Sequence, residues 1–433
     1  MKKILKRIRR SIRTFFRRVF RLNEIYRRRA QRLLKKRAQK KKKNGDPITV
    51  SFVCHDPALW IMFESVYNAM KKDSRFYPQV IVLPNKLDRF SKKKFRDSRM
   101  EKYCAHLGLN MVEGFDASRM KWKKPNDFDS DYLFYQQPYL LFPKAWSIEH
   151  VSRRVKVCHI PYAFALFEWA NFYNMNIPEL FLQHTYFVFH ENTTIQQSLK
   201  KRCGNTPWFS KIQTRVSGYP KFDYFDYSKK LKGAAWKRGL TPGVKRILWT
   251  PRWNTDQGTC HFFDYKDFLH HFCSKNEQID FVFRPHPLCF KHFLKTGELS
   301  EKELENMRLD YSSSSQMSID ETYNYQDTFL TSDILISDHS SMLIEYFATG
   351  KPVVFTYTDG FSSDFGQEFS KGYYWVKNKV ELKETLNMLI QGEDPLFETR
   401  KQIIQEMIYR PQGGAGEKIK ELLYEDFLHE ITN

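Results

Sequence analysis

Two short runs in the C-terminal half combine side chains suited to a phosphate ester. Arg284-Pro285-His286-Pro287 sets a cation and an imidazole two residues apart. Ser337-Asp338-His339-Ser340-Ser341 adds a carboxylate, a second imidazole and hydroxyls. Each follows an apolar run that reads as a buried strand, 279–283 (IDFVF) and 334–336 (ILI). Loops at the carboxyl ends of strands in an open α/β sheet converge on the ligand crevice. The prolines keep His286 extended, because each disfavours the α conformation in the residue before it. A neutral imidazole donates to a phosphate oxygen and an imidazolium neutralises one. Ser340 and Ser341 fall at the start of a helix-forming stretch, 342–348, where unpaired N–H groups and the dipole favour an anion. A plain helix cap explains the two serines equally well, and a lone His beside Pro is commonly structural. Asp338 is expected to order the loop or hold a neighbouring His. Glu345, one turn into the helix, either reaches a ribose hydroxyl or is a surface acid. The combination points to an enzyme handling a nucleotide-linked, phosphorylated donor.

Strand and helix signals alternate along the chain around these runs. Strands are expected at 48–54 (ITVSFVC), 79–83, 132–135, 155–158, 186–189 and 214–217, with a helix over 59–70 after the first. A polar stretch, 225–245, contains Gly233 and Thr241-Pro242-Gly243 and marks a boundary. A second alternating block runs through 246–250, 281–283, 334–336 and 353–356. Alternation of this kind implies mostly parallel sheets covered on both faces. Two blocks predict two Rossmann-like domains facing across a cleft, 46–230 and 240–433, after an arm over 1–45. The last helix is a candidate to pack back on the first domain.

Composition sets the class. A chain of 433 residues with 41% hydrophobic and 16% aromatic content can fill two cores. Its formal charge of +22 suggests nucleic acid until it is mapped. Residues 1–43 hold 21 Lys and Arg against one acid, Glu24, so the arm carries +20 and the rest is nearly neutral. Seven scattered cysteines without a C-x-x-C pair argue against a disulfide framework or zinc site and fit a reducing compartment. No stretch resembles a signal peptide core or reaches the roughly 20 apolar residues of a membrane span. Asp127, Asp129 and Asp131 have a spacing that suggests a metal, but a solvated loop before a strand is the expectation. Nothing else calls for a metal, and no cofactor is expected.

The arm is patterned. Between residues 4 and 26 apolar residues recur at steps of three and four, with Phe15, Phe16 and Phe20 on the apolar stripe and Arg9, Arg10, Arg17 and Arg18 among the basic residues. A basic amphipathic helix of this type fits an anionic membrane interface, at about 1 kcal/mol per basic residue near the lipid. Residues 35–43 lose the stripe and read as a solvated tether. The rival for the arm is nonspecific nucleic-acid binding.

A resemblance sharpens the site. The run 333–346 (DILISDHSSMLIEY), continuing to Gly350-Lys351-Pro352, strongly resembles the CDP-glycerol glycerophosphotransferase family, which builds teichoic acids and related capsular polymers. Arg284-Pro285-His286-Pro287 matches that family's histidine motif. The segment 247–253 (ILWTPRW), with Arg252, is similar to its strand-plus-aromatic segment. Gly218-Tyr219-Pro220 and Gly413-Gly414-Ala415-Gly416 resemble two further turns. Together the motifs span about 130 to 425, in the family's order. The resemblance implies a GT-B fold, a C-terminal domain binding a CDP-linked polyol donor through Arg252, Arg284, His286, Asp338, Ser340, Ser341 and Glu345, and an N-terminal general base. His159, in Val157-Cys158-His159-Ile160, stands where the family opens a His-Gly-Thr motif; the Gly-Thr is absent, and His339 replaces the usual Tyr. On residue type alone His159 reads as a buried strand-end histidine.

The implied activity is transfer of a polyol phosphate, glycerol phosphate first, from the CDP donor to a lipid-linked or membrane-bound acceptor, with release of CMP. The expected location is peripheral, on the cytoplasmic side of the cell membrane. The nearest alternative is a GT-B glycosyltransferase using a nucleotide sugar. A nucleic-acid-binding protein acting through the arm and a noncatalytic export scaffold are further alternatives, disfavoured by the near-neutral body and its motifs.

Overall fold

The computed structural model describes residues 25, 28–84, 99–116, 118–138, 144–162, 179–225, 231–357 and 364–432. The proposed lipid-facing residues Arg9, Arg10, Phe15, Phe16, Arg17, Arg18 and Phe20 lie outside them. Two compact units are present. One draws on the described residues up to Tyr162, on Ile177–Ser217 and on the C-terminal segment from Ala415; the other includes Gly218–Gly414.

The first unit is built on β1 (Ile48–Cys54), β2 (Phe76–Val82) and β3 (Met111–Glu113). A short antiparallel pair, β4 (Phe115–Asp116) with β5 (Lys121–Trp122), precedes β6 (Tyr132–Tyr135), β7 (Lys156–His159), β8 (Phe187–His190) and β9 (Gln213–Val216). Seven of these strands form a parallel sheet ordered β3-β2-β1-β6-β7-β8-β9. All residues of β1, β6, β7 and β8 are buried, as expected when helices cover both faces of a parallel sheet. Phe52 of β1 packs against Phe63 of helix Ile61–Lys71 and stacks on Phe134 of β6, with ring centroids 5.1 and 5.3 Å away. At the point where strand order reverses, between β1 and β6, Gln136 bridges the two chain ends. Its side-chain oxygen accepts from the N–H groups of His55 (2.9 Å) and Asp56 (3.1 Å).

Helix Gly414–Thr432 contributes Ile419, Leu423 and Phe427 to this core. Its Asp426 accepts from Lys156 (2.6 Å), Tyr132 (2.6 Å) and Tyr186 (2.8 Å). Gly416 is needed for this approach, since a Cβ there would stand 2.6 Å from the Ser65 carbonyl oxygen.

Two expectations are corrected here. Residues 28–44 are helical rather than a solvated tether, with Ala30, Ala38 and Lys41 buried on one side. In the Asp127-x-Asp129-x-Asp131 run, Asp127 and Asp129 are exposed as expected of a solvated loop, but Asp131 is not. Asp131 is buried, accepts from Lys41 Nζ at 2.8 Å and from the Thr49 N–H at 2.9 Å, while Asp129 lies 3.3 Å from Lys41 and 3.4 Å from Arg37. A basic run alone reads as solvated; only its acidic partners, some 90 residues later, make one face of it interior.

The second unit holds β10 (Lys245–Thr250), β11 (Ile279–Phe283), β12 (Met317–Ile319), β13 (Ile334–Ser337), β14 (Val353–Thr356) and β15 (Tyr374–Val376) in a fully parallel sheet. Its order, β12-β11-β10-β13-β14-β15, is the doubly wound one in which strand order reverses between β10 and β13. Trp249 stacks on Phe262 of helix Phe262–Ser274 at 5.4 Å to close the core on one face. The strands absent from the sequence expectation are the two-residue pair β4 and β5 and the three-residue β3, β12 and β15; these last lie at sheet edges with half-open faces, so they carry no continuous apolar run.

Among the described residues no helix is long and apolar enough to cross a membrane. Nor does any group of three His, Cys, Asp or Glu side chains among them suit a metal ion.

Candidate active site

In the second unit, the strands flanking the reversal point end in Thr250 and Ser337, whose hydroxyls lie 3.0 Å apart. Ser337 also donates to the Thr250 carbonyl at 2.8 Å. The loops that follow carry Arg252 and the 338–341 run. Asp338, buried at 1% exposure, accepts from the backbone N–H groups of Arg252 and of His261 (3.0 Å), tying the two loops together. Burial pushes its carboxyl up to about 6, against the pull of those two donors. Asp338 is thus a loop organiser. Arg252 donates to the His339 carbonyl at 2.9 Å. His339 is fully buried and held neutral, down to about 3, by desolvation and by Arg252.

The run after β11 lies beside these loops. Arg284 turns its guanidinium onto Asp320 and the Thr322 carbonyl, with Tyr325 beneath it at 5.7 Å. The His286 ring stacks on Trp253 at 5.7 Å and its Nδ1 accepts from the Leu288 N–H at 3.1 Å. That bond leaves the proton on Nε2, which is the nitrogen available to donate to a ligand. Partial desolvation and the nearby Arg252 charge hold His286 below its ordinary value.

Ser340 accepts from the Met342 N–H at 3.2 Å, while Ser341 starts helix Met342–Phe347 without a side-chain cap. Glu345 is neither a surface acid nor open to a ribose. It is buried, with one oxygen 2.8 Å from Lys221 Nζ and the other accepting from Tyr325. The chain Asp320–Arg284–Tyr325–Glu345–Lys221 therefore braces the site from below. Asp320 and Tyr325 escaped the sequence reading because each is remote from the motifs in the chain, whereas Lys221 lies in the Gly218-Tyr219-Pro220-Lys221 turn, with nothing local to mark it as the partner of Glu345. Trp253 was quoted there only as part of a strand segment, although an aromatic beside a strand end is itself a stacking signal.

The structure thus groups Arg252, Arg284, His286, Asp338, Ser340, Ser341 and Glu345 in one unit, around the ends of β10, β11 and β13. His159 belongs to the other unit, at the end of β7, buried at 1% exposure against the Phe181 ring at 5.5 Å. Neither of its ring nitrogens has a hydrogen-bond partner among the described residues. A buried polar group left unsatisfied costs about 1–3 kcal/mol. Desolvation, then His190, lowers His159 to about 3, so the ring is neutral. His190 and Glu191, at the end of β8, were missed, although the strand-end logic that picked His159 applies to them.

A sequence profile of the CDP-glycerol:poly(glycerophosphate) glycerophosphotransferase family matches residues 186–421, more than half the chain. The chain belongs to this family. It is a glycerophosphotransferase-like enzyme. The match contains every second-unit residue named above and begins beyond His159. No curated protein matches the chain in sequence. Among solved structures, the wall teichoic acid polymerase TagF is similar over 99% of this chain and 99% of its own, at 14% identity and TM-score 0.55. S. aureus MnaA, solved with UDP, covers 89% of this chain and 98% of its own at 12% identity and TM-score 0.58. UDP-GlcNAc 2-epimerase from Neisseria meningitidis covers 88% and 100% at 15% identity and TM-score 0.53. These likenesses establish the GT-B fold for this family member.

Proposed function

We propose that this glycerophosphotransferase-like enzyme takes glycerol phosphate from CDP-glycerol and delivers it to a hydroxyl of a membrane-bound polymer acceptor, releasing CMP. The observation that carries the reading is the grouping of Arg252, His286 and the 338–341 loop at the strand ends around the reversal point of the second sheet. A cation and an Nε2–H donor suit a pyrophosphate and the charge that builds on the transferred phosphoryl group, while Arg284 is taken up by Asp320 and braces the loop. The acceptor oxygen forms a bond to the β-phosphorus. The bond from that phosphorus to the bridging oxygen breaks, and its electron pair leaves on the α-phosphate of CMP. The acceptor's proton goes to a nitrogen of His159 and from there to solvent. A placed base of this kind is worth about 10²–10⁴-fold.

The arm supplies the membrane side of the proposal. Helix 28–44 is held to the first unit by Lys41 and Arg37, while Arg29, Arg32, Lys36, Lys40 and Lys43 form an exposed basic face on it. At about 1 kcal/mol per residue near anionic lipid, this face extends the contact expected of residues 9–20. The enzyme then works peripherally, on the cytoplasmic side, where a CDP-linked donor and a lipid-linked acceptor meet.

The test is CMP release from CDP-glycerol by the full chain with membranes as acceptor source. Wild-type release that drops by about 10²-fold in His286→Ala is the expected result. Turnover of a nucleotide sugar with none of CDP-glycerol or CDP-ribitol would overturn the donor assignment in favour of a glycosyltransferase.

A further inference from the structure

The edge of the first sheet holds more than one titratable group. β7 ends on His159 and β8 on His190, with Glu191 next in the chain. His159 pairs in register with Val188, so His190 lies two residues further along the neighbouring strand and on the same face of the sheet. Strand spacing and rise place the two Cα atoms roughly 8 Å apart. All three side chains are buried, at 1%, 0% and 4% exposure. Both ring nitrogens of His159 and Oε2 of Glu191 lack a hydrogen-bond partner among the described residues. Asn192 caps helix Thr193–Cys203 through the Ile195 N–H at 2.9 Å, which fixes the turn that presents Glu191.

The charge of this edge distinguishes its ligand. Desolvation keeps both imidazoles neutral, each down to about 3, and pushes Glu191 up to about 8, so that it is a carboxylic acid at neutral pH. Neutral donors and acceptors suit hydroxyl groups, whereas the arginines of the second unit suit phosphate.

We propose that His159, His190 and Glu191 form the binding site for the uncharged, hydroxyl-bearing end of the acceptor. The inference rests on the transferase reading and adds where the acceptor's hydroxyls are held. His159 receives the proton of the attacking hydroxyl, and the protonated Glu191 with His190 hydrogen-bonds the hydroxyl next to it. Glu191 is thus a positioning residue that sets acceptor selectivity.

The experiment titrates the full chain with a glycerol-phosphate trimer in the absence of donor, following trimer line broadening by NMR. Donor and acceptor KM are then measured separately. Glu191→Ala is expected to weaken trimer binding and raise the acceptor KM by at least about tenfold with the donor KM unchanged. Glu191→Gln keeps the shape and the hydrogen bonds, and is expected to restore both to within about threefold. Should Glu191→Ala fail to fold, His190→Gln is read for the same split. Trimer binding and acceptor KM equal to wild type in Glu191→Ala, or no trimer binding by wild type, overturns the site. Binding that is lost in Glu191→Ala, in an enzyme that releases no CMP from CDP-glycerol, keeps the site and overturns the donor assignment instead.

Discussion

His286 sits between two influences, the Trp253 ring stacked on it and the positive charge of Arg252. Desolvation first, and then that charge, disfavour the imidazolium, so the ring enters the reaction neutral and donates from Nε2. Arg252→Gln removes that charge. His286 is then expected to titrate at higher pH, followed through its ring C–H signals. The donor KM should rise by about tenfold or more, the loss of a charge-assisted hydrogen bond of ~1.5–3 kcal/mol. A His286 titration that does not move would refute the coupling. At this scale residue type was legible and partnership was not. Glu345 and Arg284 are the residues that the motifs single out, yet Tyr325 and Asp320 occupy them from positions that no local pattern marks, and Lys221 does so from a turn motif that does not announce this partner.

Helix 28–44 shows how one element changes meaning with its neighbour. Its inner face brings Lys41 to Asp131 at 2.8 Å, both nearly buried, and Thr49 shares the same two groups. Breaking a buried ion pair by removing one partner leaves the other charge uncompensated, at about 3–5 kcal/mol. Lys41→Met should therefore lower the unfolding free energy of the first unit by that amount, read as a lower denaturant midpoint, whereas Lys40→Met, on the exposed face, should leave it within about 0.5 kcal/mol. Equal midpoints for the two variants would show that the helix is not anchored in this way. The exposed face would keep its charge in Lys41→Met, so binding to anionic vesicles separates anchoring from lipid contact.

For the whole chain, buried titratable groups set the pH response. His159, His190 and His339 are each lowered to about 3 by desolvation. Unfolding restores a value near 6.5, so the unfolded chain binds more protons between about 3 and 6.5, and stability is lost as pH falls through that window. Glu191, raised to about 8, acts in the opposite sense. The folded chain holds its proton above the ordinary value, so stability is lost as pH rises towards 8. The unfolding midpoint is expected to peak near neutrality. Glu191→Gln should flatten the alkaline side and steepen the acid side between about 4.5 and 6.5, as read by thermal melts across the pH range. An alkaline limb that keeps its slope in Glu191→Gln would count against a protonated Glu191.

The amino-acid order by itself determined the two alternating α/β blocks and the strand-end motifs. A parallel strand covered on both faces must be apolar throughout, and runs such as ILI at 334–336 and ITVSFVC at 48–54 announce it locally. The family resemblance was likewise carried by contiguous residues around Arg284 and Asp338. Only the tertiary structure decided which polar side chains are left for a ligand. Lys41 meets Asp131 across 90 residues and Lys221 meets Glu345 across 124, while His159 and Glu191 are buried with polar atoms unmet. Whether a polar group faces a partner, water or an empty position depends on what the fold brings beside it, and that information is not local in the chain.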